Sequence, residues 1–173
     1  MLWIRFDEED RRTSAPQFCL YSIQGERVCL QDLYEENNLV LVFIHGLNCP
    51  DCRSTVQAFV ERETEYRGQA GKVLFILPDD NHNLHEQVGK DHLLSSLTGE
   101  VLHSILVDPE GTTRRRYADL MSASLVGDED TVIFVLDTYG APYTAVIAQE
   151  LNSEEVHKEI LSWLQYINIQ CPE

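Results

Sequence analysis

Two short, continuously apolar segments separated by one helix-length segment constrain the fold of this chain more than any other feature. The segments 39–45 (LVLVFIH) and 72–78 (KVLFILP) are rich in branched side chains, as is typical of strands covered on both faces. Between them, Val56, Phe59 and Val60 recur at helical spacing. A strand, a helix and a second strand of these lengths predict a right-handed βαβ unit with parallel strands.

Further elements are predicted on both sides of this unit. Before it, the segment 18–30 alternates between apolar and other residues around Gln24-Gly25, which predicts a hairpin with one buried face. After it, the predicted elements are helical pieces over 81–97, a strand over 101–108, a short helix over 112–121, two strands over 131–137 and 143–149, and a last helix that begins near Ser153. This order predicts an α/β sandwich with a mixed sheet.

The length of 173 residues fits one domain, which we expect to span 1–173 with a core of about 14–168. The chain contains 29 Asp and Glu residues but only 13 Lys and Arg residues, which gives a net charge of −16. This charge disfavours binding to nucleic acid or to anionic membranes. The one basic cluster, Arg114–Arg116, is interpreted as a solvated helix face. No apolar run is long enough to span a membrane and no signal peptide is recognisable, so we expect a soluble cytoplasmic protein.

The five cysteines are an odd number, which excludes a fully paired secretory framework. In a reducing compartment, closely spaced cysteines are more often catalytic or metal-binding than structural, which singles out Cys49 and Cys52. Cys19 and Cys29 share one side of the predicted hairpin. A second redox pair is one alternative for them, but small half-exposed residues are the expectation. Cys171 is expected to be a frayed terminal thiol.

The segment Cys49-Pro50-Asp51-Cys52 lies at the predicted turn from strand to helix. Unpaired N–H groups and the helix dipole lower the pKa of a thiol at such a position, which favours the thiolate of Cys49. Pro50 fits the first helical turn, where its missing N–H costs nothing. Cys52 lies close enough to resolve a mixed disulfide formed by Cys49. The Asp51 carboxylate opposes thiolate formation, which predicts a pair less oxidising than one with His or Arg in that position.

With this motif, the predicted order of elements resembles the thioredoxin superfamily. The hairpin, the flanking segments 15–18 (APQF) and 30–33 (LQDL) and the inserted segment near 81–121 are similar to its redoxin and peroxiredoxin branch, the AhpC/TSA type. The resemblance covers roughly 14–167. It implies a thioredoxin-like three-layer sandwich with an N-terminal hairpin extension, a redox-active cysteine pair, protein or small-molecule disulfides as partners, and no cofactor.

The chain departs from the pattern of these families at two places. The Pro-x3-Thr-x2-Cys pattern of peroxiredoxins overlays with His45 at the proline, Cys49 at the threonine and Cys52 at the peroxidatic cysteine. The hydroxyl group that assists peroxide reduction is therefore missing. Candidates for the guanidinium group that this reaction also needs are Arg53 and Arg114–Arg116. Thr131 stands where thioredoxins carry a cis-proline before a core strand.

Three functions are compatible with the motif. The first is a thiol–disulfide oxidoreductase with Cys49 as nucleophile and Cys52 as resolving cysteine. The second is a peroxiredoxin-like peroxidase with these roles exchanged, and the third is a non-catalytic module that binds a partner or a metal. His45 is a candidate acceptor of the Cys49 proton. Two more ligands would be needed for a metal, and since His45, His82 and His85 are the only suggestive ones, no metal site is predicted.

Overall fold

A mixed β-sheet forms the middle layer of the structure. This computed structural model describes residues 1–79, 97, 99–122, 126–127, 129–148 and 153–170. Most of the helical region predicted over 81–97 lies outside the described residues, as do His82, His85 and Cys171.

The strands and helices have the following bounds. The strands are β1 (Leu2–Arg5), β2 (Cys19–Ser22), β3 (Arg27–Cys29), β4 (Asn38–Phe43), β5 (Gly71–Asp79), β6 (Ile105–Pro109), β7 (Thr131–Leu136) and β8 (Pro142–Ala148). The helices are α1 (Glu8–Arg11), α2 (Pro50–Glu61), α3 (Glu63–Gly68), α4 (Gly99–His103), α5 (Thr112–Leu120) and α6 (Glu154–Gln170), with a 3-10 turn at Leu30–Leu33. None of the described helices is long and apolar enough to cross a membrane.

The strands are ordered β1-β8-β7-β4-β5-β6-β2-β3 in one sheet. Strand β4 runs parallel to β5 and β5 parallel to β6, whereas the other pairs are antiparallel. The predicted βαβ unit and mixed sheet are therefore confirmed. The sequence analysis did not predict β1, which pairs with β8 at one edge of the sheet.

The strand predicted over 101–108 was wrong in its first half. Residues 99–103 form the helix α4, and the strand begins only at Ile105. Val101, Leu102, Ile105 and Leu106 are the buried apolar residues of this stretch. Apolar residues at these positions fit one face of a helical turn as well as a strand. The periodicity of so few residues therefore does not distinguish a helix from a strand.

Helices cover both faces of the sheet. Side chains alternate along a strand, so Val40 and Val42 of β4 pack on the face covered by α2, α3 and α6. Leu41 and Phe43 pack on the opposite face, where Tyr117 of α5 joins them. All six residues of β4 are buried, as predicted for a strand with both faces covered. The arrangement confirms the predicted three-layer sandwich.

The hairpin of β2 and β3 forms the other edge of the sheet and carries a disulfide between Cys19 and Cys29. Backbone hydrogen bonds link Phe18 with Leu30 and Ser22 with Glu26. Because hydrogen-bonded and non-hydrogen-bonded pairs alternate along an antiparallel ladder, Cys19 and Cys29 form a non-hydrogen-bonded pair. Such pairs bring side chains closest together across two strands. The expectation of small half-exposed residues was wrong, and the alternative of a redox-active pair stays a prediction.

Loss of this disulfide should destabilise the protein by roughly 2–3 kcal/mol, since it removes the constraint on a short loop of the unfolded chain. Its cysteines are separated by 10 positions. The test compares two proteins that both carry Cys49→Ser, so that only the hairpin pair responds to reductant. We expect the one that also carries Cys19→Ser/Cys29→Ser to show this loss in urea unfolding. Reductant should lower the stability of the Cys49→Ser protein, whose hairpin cysteines are intact, and leave that of the variant without them unchanged. Equal urea midpoints for the two proteins would contradict the prediction.

A buried tyrosine–histidine pair lies between α3 and α6. The Tyr66 hydroxyl group and His157 Nδ1 are 2.7 Å apart, and His157 is fully buried. Burial, followed by the nearby charge of Arg62, lowers the pKa of His157 to about 4. Among the described residues, nothing hydrogen-bonds to His157 Nε2, so a proton there would be a buried charge without a partner.

This pair should make stability depend on pH. Between its folded pKa of about 4 and its ordinary value of 6.5, His157 binds a proton in the unfolded chain and not in the folded one. Its contribution is therefore fully present above pH 6.5 and is lost as the pH falls toward 4, by up to roughly 3 kcal/mol. Urea unfolding across this range should show a smaller loss in His157→Gln, which does not titrate. An identical loss in the variant would assign the effect to the carboxyl groups alone.

Candidate active site

The site lies on the loop between β4 and α2, at the carboxyl end of a central strand. Strand β4 ends at Phe43 between its neighbours β5 and β7, and α2 begins at Pro50. Cys49 is the N-cap residue of α2, and Pro50 occupies the first helical position, as the sequence predicted. The cysteine pair therefore begins a helix of 12 residues whose other end packs into the core.

The two thiols differ in their access to solvent. Cys49 is half-buried, whereas Cys52 is only 1% exposed. Both are free thiols, and the Cys52 backbone N–H donates a hydrogen bond to Cys49 Sγ with an N···S distance of 3.4 Å. Cys49 is therefore the member of the pair that solvent reaches, whereas Cys52 is enclosed.

His45 contacts the buried thiol. Its Nδ1 lies 3.3 Å from Cys52 Sγ and its Nε2 lies 3.9 Å away. The sequence made His45 a candidate acceptor of the Cys49 proton, but the structure places its ring within hydrogen-bond distance of Cys52. The imidazole is half-buried, so it links the buried sulfur to the surface.

Opposing influences act on the Cys52 thiol. Burial is the largest, and together with the hydrogen bond to Cys49 it raises the pKa of Cys52 to about 11. Backbone hydrogen bonds from His45 and Gly46 lower the pKa in part. The sequence does not show that these two backbone N–H groups face the thiol, because every residue except proline carries such a group. Cys52 is therefore protonated at neutral pH unless a nearby group takes its proton.

The remaining predicted site residues lie on α2 and β7. Asp51 is exposed in the first turn of α2, and its carbonyl oxygen accepts a hydrogen bond from the Thr55 hydroxyl. Thr131 is buried at the start of β7. Because Val132 pairs with Phe43, Thr131 lies at the same end of the sheet as the cysteine loop. The described residues contain no cis peptide bond, so the bond before Thr131 is trans.

The basic cluster of α5 serves the fold. Arg114 donates to the carbonyl oxygens of Gly127 and Asp130, and Arg116 donates to that of Gln17. The interpretation of this cluster as a solvated helix face was therefore wrong for Arg114, which ties α5 to the segment before β7. Its guanidinium group donates hydrogen bonds to these two backbone carbonyl oxygens.

A cavity in the described part of the chain does not include the cysteine pair. A cavity of about 520 Å³ lies between the hairpin, α3, β5 and α4, but the residues that line it do not include Cys49, Cys52 or His45. That cavity is therefore not part of the candidate active site.

The chain is similar to one protein family in sequence and to several solved proteins in structure. A model of the AhpC/TSA family matches residues 12–152. The curated proteins contain no match to the chain. Among solved structures, reduced 2-Cys peroxiredoxin from Plasmodium vivax has a TM-score of 0.68 at 17% identity, covering 91% of this chain and 81% of its own.

Two further solved structures are similar over most of their length. Peroxidoxin BcpB from Mycobacterium tuberculosis has a TM-score of 0.65 at 14% identity, covering 90% of this chain and 96% of its own. A protein from Chlorobium tepidum named as a DsbE thiol:disulfide interchange protein has a TM-score of 0.63 at 22% identity, covering 87% of this chain and 95% of its own. At these identities the likeness shows the fold, which is thioredoxin-like as the sequence predicted.

Proposed function

Because the chain belongs to the AhpC/TSA family, we propose that it is a thiol–disulfide oxidoreductase in which Cys49 attacks and Cys52 resolves. One observation carries this proposal: a half-buried thiol at the N-cap of α2 has a buried thiol and an imidazole directly behind it. The interchange proteins among the structural neighbours support an exchange reaction. We expect protein or small-molecule disulfides as substrates and the cytoplasm as the compartment.

In the first step, the thiolate of Cys49 attacks one sulfur of a substrate disulfide. A new S–S bond joins Cys49 to that sulfur, the substrate bond breaks, and the other substrate sulfur leaves as a thiolate and takes a proton from solvent. The Cys52 amide N–H in the first turn of α2 donates to the attacking sulfur and favours negative charge there.

In the second step, Cys52 attacks the Cys49 sulfur of the mixed disulfide. The thiol must first lose its proton, and His45 Nδ1 lies in position to accept it. The Cys49–Cys52 disulfide forms, the bond between Cys49 and the substrate breaks, and the second substrate sulfur leaves as a thiolate that takes a proton from solvent. The substrate gains two electrons and the protein loses two. His45 then returns the proton to solvent through its exposed side.

The peroxidase alternative assigns the attack on peroxide to Cys52. That reaction needs a thiolate accessible to peroxide, whereas Cys52 is 1% exposed and burial raises its pKa to about 11. The position of the assisting hydroxyl group is occupied by Cys49. Both observations favour Cys49 as the attacking thiol.

A redox titration tests the proposal. Equilibration with glutathione buffers should interconvert the dithiol and disulfide forms of Cys49 and Cys52 reversibly as a two-electron couple. In Asp51→Asn, loss of the carboxylate favours the thiolate, so the potential should become less negative by on the order of 10 mV. A matched control is Asp119→Asn on α5, for which no shift is expected. A pair that stays reduced or oxidised in every buffer would refute the proposal.

A further inference from the structure

Three side chains with metal-ligating atoms converge where β4 leads into α2. The sulfur atoms of Cys49 and Cys52 and a ring nitrogen of His45 all lie within 4.8 Å of one another. Around a tetrahedral zinc ion, with bonds of about 2.0–2.3 Å, ligand atoms are about 3.6–3.8 Å apart. The contact of 3.3 Å between Cys52 Sγ and His45 Nδ1 is already close to that spacing. Side-chain adjustments of about 1 Å would bring all three atoms onto one ion.

The burial of the three groups suits an ion that enters from solvent. Cys52 closes the inner side of the site, while Cys49 and His45 are half-buried and line its outer side. Within the part of the chain that the structure describes, no fourth His, Cys, Asp or Glu joins this group. The fourth position would therefore be open to water, as in zinc sites that exchange ligands. The net charge of −16 also attracts cations to the surface.

We propose that the dithiol form of the protein binds one thiophilic cation, represented by Zn²⁺, through Cys49 Sγ, Cys52 Sγ and a ring nitrogen of His45. Two thiolates and an imidazole bind Zn²⁺ in preference to Mg²⁺ or Ca²⁺, which prefer oxygen ligands. Binding forms two Zn–S bonds and one Zn–N bond and releases two thiol protons to solvent, without any transfer of electrons. The disulfide form has no thiolate to offer, so the ion and the disulfide exclude each other.

Zinc titration of the reduced, metal-free full chain under anaerobic conditions tests this site. Competition with a chromophoric zinc chelator should show one equivalent of Zn²⁺ bound, with release of about two protons into a weakly buffered solution. His45→Gln should weaken binding more than about tenfold, because even groups that only support a metal ligand have effects of this size. Cys49→Ser and Cys52→Ser should each remove the binding seen at this stoichiometry.

Two matched controls separate this site from others. His103→Gln removes an imidazole that contacts Glu26 elsewhere on the surface, and Cys19→Ser/Cys29→Ser removes the thiols of the hairpin. Both variants should keep the affinity of the wild type. Unchanged binding in His45→Gln, or equal binding by the disulfide form, would overturn the proposal.

The outcome is independent of the proposed exchange reaction. A pair that titrates reversibly in glutathione buffers but binds no Zn²⁺ overturns the metal site alone. One equivalent of Zn²⁺ bound by a pair that does not exchange with glutathione supports the metal site and refutes the oxidoreductase proposal.

Discussion

Replacing Cys49 with serine should reduce the rate of disulfide reduction by on the order of 1,000-fold or more, because a serine hydroxyl group is not ionised at neutral pH. The assay is reduction of insulin or of a small disulfide with dithiothreitol as the electron donor. Cys171→Ser also exchanges a thiol for a hydroxyl group but leaves both members of the pair, so it should retain the wild-type rate. Wild-type activity in Cys49→Ser would exclude Cys49 as the nucleophile.

The partner of Cys49 should have a different phenotype. In Cys52→Ser, Cys49 can still attack, but resolution cannot follow, so a mixed disulfide with substrate should accumulate and be visible by mass spectrometry. In His45→Gln the same intermediate should form at the normal rate and decay about 100-fold or more slowly, since general bases contribute effects of this size. If an intermediate were trapped through Cys52 in Cys49→Ser, and none through Cys49 in Cys52→Ser, the result would favour the peroxidase arrangement.

The position of the pair follows from local sequence. A continuously apolar run ends at His45, a proline suited to the first helical turn stands at position 50, and helical spacing begins directly afterwards. Each of these signals depends on residues close together in the chain, so the strand, the turn and the helix could all be predicted. Burial of Cys52 and partial exposure of Cys49 follow from the helix face that packs on the sheet.

Three other features of the structure were not predictable, because they depend on the path of a loop, on strand register or on a very short strand. The contact between His45 and Cys52 requires the backbone to turn back within a few residues, and composition does not specify that turn. The disulfide between Cys19 and Cys29 depends on which cross-strand pairs lack backbone hydrogen bonds, which is set by one residue of register. Strand β1 contains only four residues and none of them is fully buried, so its periodicity is too weak to recognise.

The helix that carries the cysteines is held to the core by an aromatic cluster two turns along. Phe59 is 1% exposed, and its ring centroid lies 5.3 Å from that of Tyr66, 6.0 Å from that of Phe75 and 4.6 Å from that of His157. These contacts join α2 to α3, to β5 and to α6. One side chain therefore connects the helix of the site to three neighbouring elements.

Phe59→Ala should lower the free energy of unfolding by about 3–5 kcal/mol, because it removes a large buried ring and leaves a cavity among three aromatic neighbours. Gln57→Ala, an exposed position of the same helix whose side chain contacts Glu61, should change stability by less than about 0.5 kcal/mol. Urea unfolding of both variants provides the measurement. A loss below about 1 kcal/mol in Phe59→Ala would mean that the rest of α2 holds the helix, and that the position of the cysteines does not depend on this cluster.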